Sequence, residues 1–216
     1  MPKIKKKIEM KSEQVSIPCG EISLEGVLHL PDDTSPYPAA VVCHPHPLYG
    51  GDMDNSVVVA VCQALVTCSV ATLRFNFRGV GESGGKFGGG VKEREDVKAA
   101  LDYLVTRREI DTRKLGLVGY SFGGMVAFSV AQEDARVRKL MLVSPMLNEE
   151  GWEELKSYPR LKLVLLGDAD TVVPYVRLKK YFISDKQFKV ITGADHFWWG
   201  FEEEISKRVE GFYNLR

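Results

Sequence analysis

Apolar positions along this chain fall into two periods that take turns. Short apolar runs of strand length recur at Ala39–Cys43, Ala71–Phe77, Leu115–Gly119, Val137–Val143, Leu161–Leu166 and Phe188–Ile191. Longer stretches stand between and after them, with apolar residues three or four apart. These predict helices over Asn55–Cys68, Val91–Arg108, Phe122–Glu133, Asn148–Tyr158, Tyr175–Phe182 and Phe201–Phe212. Asp54 or Asn55 suits an N-cap, and Pro174 stands near a first helical position. Val15–Ile17 and Ile22–Leu30, joined by Pro18-Cys19-Gly20-Glu21, read as an antiparallel hairpin. Pro31–Pro38 and the glycine-rich Arg78–Gly90 read as loops.

Strands alternating with helices predict an α/β fold. Its mostly parallel β-sheet carries helices on both faces and the N-terminal hairpin as an antiparallel edge. No repeat or linker interrupts residues 1–216, which read as a single domain. In such sheets chemistry gathers beyond the carboxyl ends of the strands.

Composition narrows the partners. Lys+Arg and Asp+Glu both number 29, a formal net charge of zero. No nucleic-acid or membrane partner is expected from bulk electrostatics. The basic cluster Lys3–Lys7 with Lys11 reads as a solvated N-terminal segment, since no apolar core of signal-peptide length follows it. No run reaches transmembrane length. Cys19, Cys43, Cys62 and Cys68 show no C-x-x-C spacing, and a reducing, cytoplasmic location is expected.

The candidate chemistry centres on Gly119-Tyr120-Ser121-Phe122-Gly123, a G-x-S-x-G between an apolar strand and a helix pattern. Strand, sharp turn and helix are the context in which this motif forms a nucleophile elbow. A serine hydroxyl needs a base to take its proton, and histidine titrates near neutrality. The histidines are His29, His44, His46 and His196. His29 lies in a hairpin strand and reads as structural. Only His196, in Gly193-Ala194-Asp195-His196-Phe197, follows both Ser121 and the last strand. An acid must orient that histidine. Asp168 and Asp170 compete in the run from Leu165 to Pro174, and Asp195 is a third candidate. The oxyanion of a tetrahedral intermediate needs backbone donors. Phe122 offers an N–H at a helix N-terminus, and the loop after Cys43 should offer the second. Pro45 and Pro47 have none, so His46 is named, with Leu48 in reserve.

At these residues the chain resembles the α/β-hydrolase superfamily. It is more closely similar to small, lidless hydrolases carrying HPHPLYGG-x-M-x-N and RFNFRGVGxSxG, here His44–Asn55 and Arg74–Gly84. The resemblance runs from about Ile22 to the C-terminal helix. The family's acid in G-x-x-D-x-x-V-P maps onto Gly167, Asp170, Val173 and Pro174, and its base onto Asp195-His196. The resemblance implies an esterase-type serine hydrolase with Ser121, His196 and Asp170 as catalytic residues and a small acyl ester as substrate. A thioesterase, a dienelactone hydrolase, a small peptidase or a non-catalytic ligand-binding protein of the same fold are the alternatives.

Two rival motifs are weighed against this. Gly79–Gly84 matches G-x-G-x-x-G, but loop rather than helix follows, so no dinucleotide cofactor is expected. Arg74, Asn76 and Arg78 read as residues that stitch this loop to its neighbours, with phosphate recognition by Arg78 the lesser reading. His44-x-His46 with Asp52 and Asp54 is a partial ligand set without a further His or Cys, and no metal is expected. The short segment Pro145–Tyr158 leaves little room for a lid. Tyr49, Phe87, Met146, Leu147, Trp152 and Trp198 are candidate lining residues of an open, shallow site. Without a flap, lipase-type action on long chains is not expected.

Overall fold

The computed structural model describes residues 11–31, 35–181 and 187–214. The basic cluster at Lys3–Lys7 and the predicted helix end at Phe182 lie outside them. Among the described residues, eight strands form one sheet in the order β1-β2-β4-β3-β5-β6-β7-β8. They are β1 (Lys11–Cys19), β2 (Ile22–Leu30), β3 (Tyr37–Cys43), β4 (Ala71–Phe75), β5 (Ile110–Tyr120), β6 (Val137–Val143), β7 (Leu161–Gly167) and β8 (Phe188–Ile191). β2 runs antiparallel to both β1 and β4, and the remaining neighbours are parallel. The helices are α1 (Ser56–Thr67), α2 (Glu93–Thr106), α3 (Phe122–Glu133), α4 (Glu149–Ser157), α5 (Tyr175–Leu178) and α6 (Glu202–Tyr213).

Strand alternation sorts the core into two layers. Val41, Leu73, Leu117, Leu142 and Val164 face α2, α3 and α4 on one side of the sheet. Their chain neighbours Val42, Val118, Val143 and Leu165 face α1 and α6 on the other. A side chain burying on each face is why these strands read as unbroken apolar runs.

Some boundaries differ from expectation. β4 ends at Phe75 rather than Phe77, and Asn76 N–H still donates to the Glu25 carbonyl of β2 at 2.8 Å. α2 starts at Glu93 rather than Val91. The buried Glu93 carboxylate instead accepts the Gly88 and Gly90 N–H groups at 2.6 and 2.7 Å, which ties down the glycine-rich loop before the helix. β5 begins at Ile110, ahead of its apolar run, through pairing with Tyr37. α1 is capped by Asn55, whose side chain accepts Val57 N–H at 3.0 Å. No helix among the described residues is long and apolar enough to cross a membrane.

Candidate active site

β5 ends at Tyr120 and α3 begins at Phe122, which leaves Ser121 alone to turn the chain. It does so at φ 55° and ψ −117°, a region that a residue with a Cβ rarely occupies. The turn is held from outside: Ser121 N–H donates to the Val143 carbonyl at 2.9 Å, and Met146 N–H donates to the Ser121 carbonyl at 3.1 Å. It also demands two glycines. A Cβ on Gly119 would sit 2.3 Å from the Gly123 carbonyl oxygen, and one on Gly123 would sit 2.3 Å from the His44 carbonyl oxygen. Neither contact leaves room for a side chain.

The fold brings distant residues to this serine. Ser121 Oγ lies 2.9 Å from His196 Nε2, and His196 Nδ1 lies 2.9 Å from Asp170 Oδ2. An ionised carboxylate only accepts, so the ring proton sits on Nδ1 and Nε2 is left to accept from the serine. All three residues are buried. Burial alone would raise the Asp170 carboxyl above its ordinary range. Hydrogen bonds from His196, from Val173 N–H and from the Ser144 hydroxyl outweigh it and hold the group lower. Its Oδ1 accepts Val172 and Val173 N–H at 2.9 and 2.7 Å. The rival acids are occupied elsewhere. Asp168 Oδ1 accepts Gly193 N–H at 2.7 Å, and Asp195 Oδ1 accepts Phe197 and Trp198 N–H at 2.9 and 3.0 Å.

Two supports of this arrangement were not legible in the sequence. Tyr120 Oη donates to the His196 carbonyl at 2.6 Å and so fixes the loop that carries the imidazole. Behind Asp170, the buried Ser144 accepts Trp198 Nε1–H at 3.1 Å. An indole N–H can only donate, so the one proton of Ser144 is free for Asp170. Ser144 and Trp198 both have positive φ, at 41° and 60°. Their backbone strain was the only signal, and it is invisible without coordinates.

The loop after β3 is organised by His44. Its Nδ1–H donates to the Pro45 carbonyl at 2.7 Å, and its Nε2 accepts Phe77 N–H at 3.0 Å. Burial lowers its pKa to about 4, so the ring is neutral. With both nitrogens engaged, His44 has no lone pair to give a metal. Among the described residues no group of three His, Cys, Asp or Glu could hold an ion. His46 N–H and Phe122 N–H, the two named oxyanion donors, have no hydrogen-bond partner among the described residues. Leu48, held in reserve, is ruled out as a free donor because its N–H reaches His46 Nδ1 at 3.2 Å.

Arg78 does not await a phosphate. Its Nη2 and Nε reach the Asp96 carboxylate at 2.7 and 2.9 Å, and Nη2 also reaches Glu95 at 3.0 Å. Arg74 reaches the Met53 carbonyl and Asp54, and Asn76 bridges Met53 N–H and Glu25. Arg78 ties the Arg78–Gly90 loop to α2, and the Asn76 carbonyl accepts the Ser83 hydroxyl of that loop at 2.7 Å, whereas Arg74 instead ties β4 to the Met53–Asp54 turn. His29 accepts from Arg74 Nε at 3.4 Å inside β2.

A cleft of about 590 Å³ opens at Ser121, and His46, Tyr49, Met146, Val172 and Phe197 line it. Four of the expected lining residues lie elsewhere. Phe87 packs behind it, with ring centroids 5.1 Å from His46 and 5.6 Å from Phe122. Leu147 packs on the core, and Trp152 is buried against Tyr181. Trp198 is wholly buried behind Asp170. Size and aromaticity misdirected that expectation, because they serve the core as well as a site.

An eight-stranded sheet of this order, with a serine on its β5–α3 elbow, defines an α/β serine hydrolase. Residues 40–187 match the family described as serine aminopeptidase S33, and the chain belongs to that family. It is similar to an α/β serine hydrolase homologue of Coxiella burnetii, with 35% identity and a TM-score of 0.83 over 94% of this chain and 97% of that one. A lidless α/β serine hydrolase of Xanthomonas campestris superposes with a TM-score of 0.80 at 28% identity, over 93% of each chain. A bis(hydroxyethyl) terephthalate hydrolase of Streptomyces coelicolor is 30% identical over 46% of this chain, which spans 34% of that protein's length.

Proposed function

We propose that this protein is an esterase-type serine hydrolase that cleaves small, uncharged carboxylic esters through an acyl-enzyme on Ser121. The observation that carries the reading is the continuous line of 2.9 Å contacts from Ser121 Oγ through His196 to Asp170. His196 Nε2 takes the serine proton as Oγ attacks the ester carbonyl. The negative charge that develops on the carbonyl oxygen is met by Phe122 and His46 N–H. His196 then returns the proton to the departing alcohol, and the acyl group stays on Ser121. Water, deprotonated by the same imidazole, releases the acid and restores the serine. Asp170 keeps Nδ1 protonated and balances the imidazolium while it lasts.

The cleft favours esters over the amino-terminal peptides in the family's name. An aminopeptidase must hold an α-ammonium, and no Asp, Glu, Lys or Arg lines the cleft among the described residues. Thioesters, dienelactones and small peptides remain alternative substrates for the same three residues. The ester hydrolase from Streptomyces coelicolor supports the ester reading by similarity. The test compares p-nitrophenyl acetate and butyrate with the matching thioester and with alanine p-nitroanilide. We expect kcat/KM for the esters to exceed that for the anilide by at least about 100-fold. Preferred cleavage of the anilide would reverse the assignment.

A further inference from the structure

Ten large apolar side chains are exposed among the described residues, and they are not scattered. Six of them, Leu48, Tyr49, Met146, Val172, Phe197 and Trp199, belong to the connections that leave the carboxyl ends of β3, β6, β7 and β8, and four of the six line the cleft. Only Val105 and Leu161 lie at the opposite end of the sheet. Clusters of this kind mark surfaces that meet something apolar, whereas single exposed residues are ordinary. Trp199 is the most telling member. It follows the buried Trp198, yet it is 73% exposed and stacked on Phe197, with centroids 5.2 Å apart and planes at 24°. The loop that carries His196 thus presents two stacked rings to solvent.

We propose that this rim docks the enzyme onto aggregates of a neutral ester substrate; the inference rests on the esterase reading. Continuity points to the substrate itself as the occupant. Tyr49, Met146, Val172 and Phe197 belong both to the exposed rim and to the wall of the cleft. A second copy of the chain seated there would cover the mouth that substrate must enter. Charge points to a neutral surface. The connecting segments 44–55, 144–148, 168–174 and 192–201 contain Asp52, Asp54, Asp168, Asp170 and Asp195 but no Lys or Arg. An anionic bilayer would be repelled there rather than held. The rim therefore supplies as a fixed surface what a mobile apolar flap would supply in a lipase, and the expectation drawn from the short lid segment changes accordingly.

Tributyrin, dissolved below its solubility limit and emulsified above it, is the probe. Trp152 and Trp198 are buried, so Trp199 reports docking by fluorescence. We expect the hydrolysis rate to climb at least threefold beyond its soluble plateau once droplets form. The emission of the Ser121→Ala protein, which docks without turnover, should shift to the blue on the same droplets. Trp199→Ser and Leu48→Ser should remove most of the climb while leaving kcat/KM for soluble p-nitrophenyl acetate within twofold. A rate that passes the solubility limit unchanged, with no emission shift, overturns docking while leaving the esterase reading intact. A blue shift without any ester hydrolysis by the wild type keeps docking and sinks the esterase reading instead. A shift on phosphatidylcholine vesicles but not on droplets, or a dimer that Trp199→Ser dissociates, assigns the rim to a membrane or a second copy and overturns the proposal.

Discussion

Ser121 takes its position from contiguous residues on β5 and α3, whereas His196 and Asp170 reach it from separate connections after β7 and β8. The serine half is stiff because backbone meets backbone. Gly119 and Gly123 allow contacts that no side chain would permit, and the Val143 carbonyl holds the serine amide. The acid–base half is assembled from side chains. Asp170 gathers donors from Val172, Val173, Ser144 and His196, and Tyr120 tethers the imidazole loop. One half should therefore fail all at once, through the backbone. The other should be adjustable in steps.

The largest effect tests the serine half. Ser121→Ala should lower kcat by roughly a million-fold, read as ester turnover against background hydrolysis. Asp170→Asn comes next, at about 10⁴-fold in kcat, because the amide no longer holds the imidazole in the productive tautomer. Retention of the fold in both, by circular dichroism, separates chemistry from collapse. Gly123→Ala carries the contrast into stability. With its Cβ 2.3 Å from the His44 carbonyl oxygen, the elbow must open, and a loss of about 4 kcal/mol or more should appear in chemical denaturation. A mild loss would show that the elbow is not fixed by backbone contact.

Ser144→Ala probes the adjustable half and should cost about tenfold in kcat. With one donor removed, the Asp170 carboxylate becomes a stronger partner for the charged imidazole. The acid limb of the kcat/KM profile should then move to higher pH. Ser144→Ala also strands the buried Trp198 N–H, at about 1–3 kcal/mol of stability. Trp198→Phe should shift the limb less and in the same direction. A purely structural role for Ser144 would lower stability and leave the limb in place.

The smallest effect concerns His44. Its folded pKa, about 4, lies below the ordinary histidine value near 6.5. The unfolded chain therefore takes up the proton first. His44 contributes stability above the ordinary value, and that contribution is lost as pH falls toward 4. Urea midpoints from pH 7.5 to 4.5 should fall less steeply in His44→Gln than in the wild type.

The same contrast explains what could be read from the residues alone. The elbow is local, so G-x-S-x-G after an apolar run places Ser121 without further information. The two core layers follow from alternation, and the start of α1 from the Asn55 cap. His196 was reachable by chain order. Asp170 needed the family motif, because Asp168 and Asp195 have the same chemistry two residues nearer the strand and one residue from the imidazole. Ser144 and Trp198 carried no signal, since their roles depend on contacts across 54 positions of sequence. Four of the six expected lining residues failed for a different reason. An aromatic side chain buried in the core and one exposed at the surface look alike until the fold separates Trp198 from Trp199.

The central claim is that the Ser121 hydroxyl is the group that His196 makes nucleophilic. A fluorophosphonate probe, followed by peptide mapping in wild type and in His196→Ala, tests it directly. The account predicts one adduct on the peptide that holds Ser121, formed at least about 1,000-fold more slowly when His196 is replaced. An adduct on another serine, or equal labelling rates in the two proteins, would contradict it.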